Sequence, residues 1–307
     1  MNVWFVVLNY EGWDDTRACL NSVEATGRPV VLVDNGSNVN HLDELGSPSW
    51  CHPIRLPHNH GTAGGFNVGA RYALQHGAEW VIWLNNDTVV APDLVDRLEA
   101  AASARPDLHI LGPLIRDWDG ESVQTRGHLF DPTGAEGYFV EPPAATGVSE
   151  VDIVNGCCIM VSKAVFLRVG LLDERLFVTH EESDLCLRAR DAGLRCGVLN
   201  EPLVRHHGSA TFRREGTFGM RYHDARNLWL LVQRFGARRR RRVRYLRNVY
   251  WQYCRELDNG RPQAARAVAE GLADALRGRF GARSGRSDAV VSAVDGAFKW
   301  ARWCDRR

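Results

Sequence analysis

The stretch Glu79-Trp-Val-Ile-Trp-Leu-Asn-Asn-Asp-Thr-Val-Val90 decides the fold class. Its short apolar run, rich in Val, Ile and Trp, predicts a buried strand. The strand delivers Asn85, Asn86 and Asp87 at its carboxyl end. Ligands of open α/β sheets bind at that edge. The polar triplet is therefore placed like a binding site, and Asp87 is the candidate contact to a metal-bound diphosphate.

Apolar runs on either side of this stretch predict further strands. Residues 3–8 and 29–36 predict two buried strands, and residues 54–56 predict a weaker one. Helical spacing of apolar positions predicts a helix over residues 14–23, and the glycine-rich stretch from Gly61 opens a second predicted helix, through about Gln75. Strands that alternate with helices are typical of a mostly parallel sheet covered on both faces, so the expected fold class is α/β.

The second half of the chain continues this pattern and then becomes basic. A helix with an acidic start is expected over residues 180–193, and a strand over 196–204. Beyond about residue 220 the sequence has a helical pattern and many arginines. We therefore expect an α/β domain over residues 1–225 and a helical, arginine-rich extension over residues 226–307.

Composition limits the kinds of protein that this chain can be. It has 307 residues, 45% of them apolar and 24% charged, which is ordinary for a soluble protein with a substantial core. The net charge of +1 argues against general nucleic-acid binding. Eight cysteines without a CxxC pair predict free thiols. Because neither a targeting segment nor an apolar run of about 18 residues is apparent, we expect a cytoplasmic protein.

Positive charge is concentrated in one segment, whose arginines are Arg238, Arg239, Arg240, Arg241, Arg242, Arg244 and Arg247. Such a run is usually a solvated helix face. It can also bind acidic lipid headgroups, at ~1 kcal/mol per residue near a membrane surface. Both interpretations stay open: a solvated face, or a peripheral contact with the inner face of the cell membrane.

Two motifs suit a nucleotide but also have ordinary structural explanations. Asp34 and Asn35 end the second strand, where a carboxylate can accept hydrogen bonds from a ribose or base edge, although Asp-Asn-Gly is common turn chemistry. Gly61-Thr-Ala-Gly-Gly-Phe-Asn-Val-Gly69 opens a helix whose N-terminal amides favour phosphates, although tight helix–strand packing explains the same glycines. The sequence contains no P-loop, and no GxGxxG follows the first strand.

Asp87 and His206 are the candidate metal ligands. A hard cation such as Mg²⁺ or Mn²⁺ takes oxygen ligands and is commonly completed by substrate phosphates. A neutral imidazole can complete the shell. The alternative for Asp87 is a cap on a helix expected near Pro92. The alternative for the pair His206-His207 is a structural or solvent-exposed role.

Three acids gather at the start of one predicted helix. Glu181 and Asp184 are three residues apart and share a face, whereas Glu182 points elsewhere. A carboxylate beside an acceptor hydroxyl can act as a general base. The alternative is an acidic first turn stabilised by the helix dipole, with Asp184 paired to Arg188.

In this order the motifs resemble those of one family. The chain resembles the family 2 glycosyltransferases of GT-A fold, in the rhamnosyltransferase-like branch. The matching motifs, collinear over about residues 3 to 230, are Leu8-Asn-Tyr10, Val33-Asp-Asn-Gly-Ser37, Asn59-His-Gly-Thr-Ala-Gly-Gly-Phe-Asn67, Leu84-Asn-Asn-Asp-Thr88, Gly170-Leu-Leu-Asp173, Glu181-Glu-Ser-Asp-Leu-Cys-Leu-Arg188, His206-His-Gly-Ser209 and Arg226-Asn227. The resemblance implies a GT-A type catalytic domain, with a mostly parallel nucleotide-binding sheet flanked by helices and a C-terminal helical extension.

The resemblance also assigns roles to residues. The expected contacts of the nucleotide-sugar donor are Asn9, Tyr10, Asp34, Asn35, Gly64, Gly65, Asn67, Asn85 and Asn86. Asp87 matches the last acid of the family's metal motif, whose first acid is Asn85 here, and His206 matches its later metal-contacting histidine. Glu182 matches the catalytic base, at a position where Asp is commoner. Glu181 and Asp184 are further candidates, and which glutamate acts stays open.

The implied reaction is inverting transfer of a sugar from a UDP- or dTDP-linked donor to a hydroxyl acceptor. The implied setting is polysaccharide, glycolipid or secondary-metabolite glycoconjugate assembly, and a lipid-linked acceptor is one candidate. A divalent cation, Mg²⁺ or Mn²⁺, is the expected cofactor. Two alternatives stay open: a sugar-phosphate nucleotidyltransferase, and a non-catalytic membrane-surface binding protein.

Overall fold

The computed structural model describes residues 1–46, 48–134, 138–208, 217–283 and 288–305. Its strands are β1 (Val3–Asn9), β2 (Val30–Asp34), β3 (Cys51–Arg55), β4 (Trp80–Asn85), β5 (Thr88–Val90), β6 (Leu108–Asp117), β7 (Val123–Thr125), β8 (Leu129–Phe130), β9 (Phe139–Val140), β10 (Val148–Val151), β11 (Cys158–Ser162) and β12 (Arg195–His206). Its α-helices are α1 (Trp13–Glu24), α2 (Gly61–Gln75), α3 (Leu94–Ala104), α4 (Lys163–Val169), α5 (Glu181–Asp191), α6 (Thr217–Phe235), α7 (Arg241–Asp258), α8 (Pro262–Leu276) and α9 (Ala289–Asp305).

The chain divides into two compact units. The first comprises Met1–Phe130, Val140–Glu174 and Glu181–Thr211, and the second comprises Asp131–Phe139, Arg175–His180 and Phe212–Arg307. The boundary expected from the sequence, between residues 225 and 226, falls inside α6. As a statement about independently folding domains, the division into residues 1–225 and 226–307 stays a prediction.

The first unit is built on one sheet, in the order β10-β12-β6-β11-β4-β1-β2-β3. Strands β3, β2, β1 and β4 are parallel neighbours, and β12 pairs in parallel with β6. Strand β11 joins these two parallel parts by antiparallel pairing with β4 and β6. The apolar side chains of β1, β2 and β4 are almost fully buried, as continuous apolar runs predict for strands covered on both faces. The expected α/β class is confirmed.

The stretch of residues 79–90 forms two strands rather than one. Strand β4 ends at Asn85, Asn86 and Asp87 form a turn, and β5 then pairs antiparallel with β12. Thr88 Oγ1 donates to Asn85 O at 2.6 Å and closes this turn. The alternative that Asp87 caps a helix is wrong, because α3 begins at Leu94, after this second strand.

The second unit is helical, as the expected C-terminal extension predicts. Helices α6 and α8 pack closely, since a Cβ on Gly271 would lie 2.3 Å from Tyr222 O. Tyr222 OH donates to Asp274 Oδ2 at 2.7 Å, and Tyr245 OH of α7 donates to Ala225 O of α6 at 2.8 Å. These contacts fasten three helices together. Within the described ranges, no helix is both long enough and apolar enough to span a bilayer.

Candidate active site

The ends of three parallel strands bring the first candidate residues to one edge of the sheet. Asn9 at the end of β1 is in register with Asp34 at the end of β2. Leu8 is in register with Asn85 at the end of β4. Residues that lie 25 to 76 positions apart in the sequence therefore meet at the carboxyl edge, where α/β sheets bind ligands.

Asn9 and Asp34 form a buried pair. Asn9 Nδ2 donates to Asp34 Oδ1 at 2.9 Å, and Ser37 Oγ donates to the same oxygen at 2.5 Å. Asp34 Oδ2 is buried without a hydrogen-bond partner among the described residues, although Arg55 Nε lies 3.5 Å away. A buried acceptor is unfavourable until a ligand or water meets it. Asp34 Oδ2 is thus a candidate acceptor for a ribose or base donor.

Asn86 links the end of β4 to this pair. Its Nδ2 donates to Thr16 Oγ1 at 2.9 Å, and Thr16 Oγ1 donates to Asn9 Oδ1 at 2.9 Å. These bonds fix α1 against the strand ends. Tyr10 and Asn85 are partly buried beside them.

Two predicted nucleotide contacts hold loops of the first unit in place. Asn35 Nδ2 donates to Gly61 O at 3.1 Å. Asn67 Nδ2 donates to Leu172 O at 3.0 Å, and Leu172 N donates back to Asn67 Oδ1 at 3.0 Å. Asn67 also donates to Glu174 Oε1 at 2.9 Å. Both amides are thus structural links here, and their contact with a nucleotide stays a prediction.

The glycines of α2 permit close packing. A Cβ on Gly65 would lie 2.3 Å from Leu8 Cδ1, and a Cβ on Gly69 would lie 2.2 Å from Val6 Cγ1. A Cβ on Gly64 would lie 2.7 Å from His60 Cβ. Helix–strand packing, one of the two explanations open from sequence, therefore accounts for Gly65 and Gly69. The phosphate contact expected of Gly64 and Gly65 stays a prediction.

Asp87 and His206 meet in the first unit. Asp87 Oδ1 lies 3.2 Å from His206 Nε2, and both side chains are nearly buried. His206 Nδ1 lies 2.9 Å from Gln124 Oε1, an acceptor, so Nδ1 is placed to donate a hydrogen bond, and in the neutral imidazole Nε2 would be the nitrogen available to a cation. His207 instead lies 3.3 Å from Asp15 through Nδ1, and Ser209 of the same motif lies outside the described residues.

This donor pair fits a hard divalent cation. Octahedral Mg²⁺ with ligands at about 2.1 Å places neighbouring ligand atoms about 3 Å apart, close to the separation of the Asp87 and His206 atoms. The described residues offer two ligands at this point, and they contain no group of three His, Cys, Asp or Glu side chains that could hold a metal ion. Diphosphate oxygens and water would have to supply the remaining ligands.

Glu181 and Glu182 begin α5 in different surroundings. Glu181 is 8% exposed, and its Oε2 has no hydrogen-bond partner in the described part of the chain. Burial, and then the neighbouring Glu182 carboxylate, raise the pKa of Glu181 well above its ordinary value. Glu182 is partly exposed and accepts a hydrogen bond from Ser183 Oγ at 2.9 Å. These surroundings favour Glu182 as the carboxylate that can meet a substrate.

Asp184 is engaged in an ion pair. It is fully buried, and its Oδ2 accepts from Arg188 Nε at 2.7 Å. The same guanidinium donates to Leu171 O at 2.8 Å and to Val169 O. The i,i+4 pair was the structural alternative for Asp184, and it disfavours Asp184 as a proton acceptor.

Sequence reasoning did not identify what brings Glu182 near the sheet. A Cβ on Gly156 would lie 3.1 Å from Glu182 Cγ, so the glutamate packs against this glycine. The next residue, Cys157, accepts through its carbonyl a hydrogen bond from Asn85 N at 2.9 Å. Glu182 therefore lies beside the loop bonded to the end of β4. The Asn155-Gly156 interruption of an apolar run was the available sequence cue.

Arg226 and Asn227 form a second unpredicted cluster, inside the second unit. Asn227 Nδ2 lies 2.8 Å from Leu176 O, 2.8 Å from Val178 O and 2.9 Å from Thr179 O. Arg226 donates to Leu176 O at 3.0 Å, and both side chains are fully buried. The family resemblance included this pair of residues without giving it a role.

The segment that they hold has a strained backbone. Phe177, Thr179 and His180 have φ angles of 64°, 69° and 67°. Non-glycine residues in this region cost about 1–3 kcal/mol each and persist where surrounding contacts enforce them. His180 Nε2 also lies within hydrogen-bond distance of Asp224 Oδ1, at 2.7 Å. The next residue along the chain is Glu181.

We expect Asn227→Asp to lower the free energy of unfolding by about 2 kcal/mol or more, because a buried carboxylate would face carbonyl oxygens that now accept hydrogen bonds. The urea midpoint of unfolding measures this. Asn259→Asp, at the exposed C-terminal cap of α7 in the same unit, is the control and should lower stability by less than about 1 kcal/mol, the usual cost of a negative charge at a helix C-terminus. Equal midpoints for the two variants would contradict the assigned contacts.

Comparisons with known proteins point to one family. A sequence profile described as glycosyl transferase family 2 matches residues 4–168, more than half of the chain. The chain is 27% identical over 241 residues to the dTDP-rhamnosyl transferase RfbF of Shigella flexneri, covering 76% of this chain and 80% of that protein. It is 29% identical over 176 residues to the N-acetylglucosaminyl-diphospho-decaprenol L-rhamnosyltransferase of Mycobacterium tuberculosis, covering 52% and 57%.

A solved structure supports the fold. TarS residues 1–349 of S. aureus, in complex with UDP-GlcNAc, matches with a TM-score of 0.60 at 15% identity, covering 98% of this chain and 87% of that chain. That likeness concerns the fold alone and agrees with the GT-A type expected from the sequence. On the profile match over more than half of its length, the chain belongs to glycosyl transferase family 2, and the two rhamnosyltransferases named above are among its relatives.

Proposed function

We propose that this glycosyltransferase moves a sugar, with inversion, from a UDP- or dTDP-linked donor to a hydroxyl acceptor in polysaccharide, glycolipid or secondary-metabolite glycoconjugate assembly. One observation carries the proposal. The 3.2 Å pair of Asp87 and His206 follows the same sheet edge as the buried pair of Asn9 and Asp34. A nucleoside diphosphate requires two contacts: a cation to bind its diphosphate, and a hydrogen-bond acceptor for its ribose or base.

The donor would be held at two points. Asn9 and Asp34 would bind the nucleoside, since Asp34 Oδ2 is a buried acceptor that receives no hydrogen bond from the described residues. Asp87 and His206 would hold Mg²⁺ or Mn²⁺, and the bound cation would offset negative charge developing on the leaving diphosphate. Gln124 would keep His206 in the tautomer that presents Nε2. The Shigella relative, named for a dTDP-linked donor, supports a nucleotide-linked sugar.

Glu182 would act as the general base. Its carboxylate would take the proton of the acceptor hydroxyl while that oxygen attacks the anomeric carbon. The bond from the anomeric carbon to the diphosphate oxygen breaks, and the nucleoside diphosphate leaves. Attack opposite the leaving group inverts the anomeric configuration without a covalent enzyme intermediate. The burial of Glu181, which also raises its pKa well above the ordinary value, supports Glu182, because the partly exposed carboxylate is the one that an acceptor hydroxyl can reach.

The acceptor is proposed to be lipid-linked. The mycobacterial relative is named for a decaprenol diphosphate acceptor, and this supports the same class of acceptor here. An enzyme with such an acceptor works at a membrane surface. The arginine segment of residues 238–247 is the proposed peripheral contact, at the cytoplasmic face of the cell membrane.

The products distinguish this function from its alternative. A glycosyltransferase releases a nucleoside diphosphate, whereas a sugar-phosphate nucleotidyltransferase makes pyrophosphate from a nucleoside triphosphate and a sugar phosphate. We expect UDP or dTDP release from a panel of nucleotide sugars, in equal amount to glycosylated product. Pyrophosphate from triphosphate and sugar 1-phosphate, with no diphosphate release from nucleotide sugars, would contradict the proposal.

A further inference from the structure

Exposed arginines gather before and along α7: Arg238, Arg239, Arg240, Arg242 and Arg247. Among the described residues, none of these five has a carboxylate within ion-pair distance. Other arginines of the second unit are paired, including Arg221 with Glu256 at 2.8 Å and Arg277 with Asp288 at 2.7 Å. An arginine-rich composition alone would not separate the two groups in this way. The segment therefore carries locally uncompensated positive charge.

The same helix exposes apolar side chains between these charges. Val243 is 64% exposed, Leu246 is 39% exposed and Trp251 is 59% exposed. Leu246, Arg247 and Trp251 follow Val243 by three, four and eight residues, so all four side chains lie on one helix face. The opposite face is fully buried through Tyr245, Val249 and Tyr253. Helix α7 thus has an inner apolar face and an outer face of arginines and apolar groups.

Helix α9 adds a second apolar surface to this unit. Trp300 is 68% exposed and Trp303 is 52% exposed. The nearby cation, Lys299, is bound to Asp295 Oδ2 at 2.7 Å. Asp295 also accepts from Tyr253 OH of α7 at 2.7 Å, so α9 is fastened to α7. Helix α9 therefore presents two exposed tryptophans while a side-chain hydrogen bond holds it to α7.

We propose that α7 and α9 form a docking surface for an anionic lipid membrane. Arginines attract acidic headgroups, while tryptophans and aliphatic side chains enter the interface between headgroups and acyl chains. A nucleic acid would satisfy the arginines but not the outward Val243, Leu246 and Trp300. The purpose of the surface rests on the proposed function, since an enzyme with a lipid-linked acceptor works at a membrane, but binding to vesicles needs no turnover.

Vesicle binding of the full chain tests this surface. Vesicles of phosphatidylcholine alone are compared with equal parts of phosphatidylcholine and phosphatidylglycerol. We expect binding to the anionic vesicles only, weakened by salt. The triple variant Arg239→Gln, Arg242→Gln, Arg247→Gln should bind about 100-fold more weakly, at about fivefold per arginine. The double variant Trp300→Ser, Trp303→Ser should also bind more weakly.

A matched control removes the same charge elsewhere. Arg17, Arg71 and Arg195 are exposed residues of the first unit, and changing all three to Gln should leave vesicle binding unchanged. Equal binding by both triple variants would overturn the proposal. The proposal would also be overturned if the unchanged chain bound heparin or RNA but not vesicles, and if the double tryptophan variant bound heparin or RNA equally well. That result would indicate a polyanion site. Sugar transfer to a water-soluble acceptor should survive in every variant, which separates failure of this surface from failure of the proposed function.

Discussion

Glu182→Gln is expected to lower kcat for sugar transfer by about 100- to 10,000-fold, the usual contribution of a positioned general base. The amide has nearly the same shape but cannot take the proton of the acceptor hydroxyl. Donor binding should be unchanged, because no nucleotide contact is assigned to this side chain. Single-turnover rates measure the effect on transfer, and the shift in melting temperature caused by a nucleoside diphosphate measures the effect on nucleotide binding.

Two controls make this result specific. Glu24→Gln changes an exposed residue at the far end of α1, about 18 Å along that helix from its start, and should leave kcat unchanged. Glu181→Gln removes a buried carboxyl with a raised pKa and should retain transfer. Loss of transfer in Glu181→Gln, with full activity in Glu182→Gln, would reassign the base to Glu181.

Asp87→Asn is expected to lower kcat by about 100- to 1,000-fold, comparable to removing one electrostatic contact from a developing negative charge. The change keeps the size of the side chain but removes the charge that would hold the cation beside His206. Activity of the unchanged chain should fall when a chelator is added and return with Mn²⁺ or Mg²⁺. The variant should need more cation for its residual activity.

Asp93→Asn is the matched control for this prediction. Asp93 is exposed, six residues further along the chain, and makes no side-chain cap bond to α3. Its loss should change neither kcat nor the cation requirement. If Asp87→Asn transferred sugar at the full rate, and if a chelator did not slow the unchanged chain, the cation would have no part in the mechanism.

Local patterns predicted the elements that depend on neighbours in sequence. Helix α2 begins at Gly61 and ends at Gln75, as predicted from the glycine-rich stretch that opens it. The carboxyl ends of β1, β2 and β4 were also predictable, because apolar runs end there in polar residues. The turn at Asn86 and Asp87 was missed, since its cause is pairing of β5 with β12, more than 100 residues away.

The chemical state of the candidate site was less predictable than its location. The placement of Asp87 near His206 follows from collinear family motifs, but the orienting contact from Gln124 does not. Asn67 binds Leu172, 105 residues later, which no local pattern reveals. The difference between Glu181 and Glu182 comes from burial, and burial of adjacent residues at a helix start is decided by tertiary packing.

The central claim is that the carboxyl edge of the sheet binds a nucleoside diphosphate together with a cation. The most direct measurement is a thermal-shift titration of UDP and dTDP, with and without Mn²⁺, on the unchanged chain and on Asp87→Asn. Ligand at 100 times its Kd stabilises the native state by about 2.7 kcal/mol, which raises the melting temperature measurably. We predict a shift that needs Mn²⁺ and is reduced in Asp87→Asn. No shift with either nucleotide, or an equal shift in both proteins without cation, would contradict the claim.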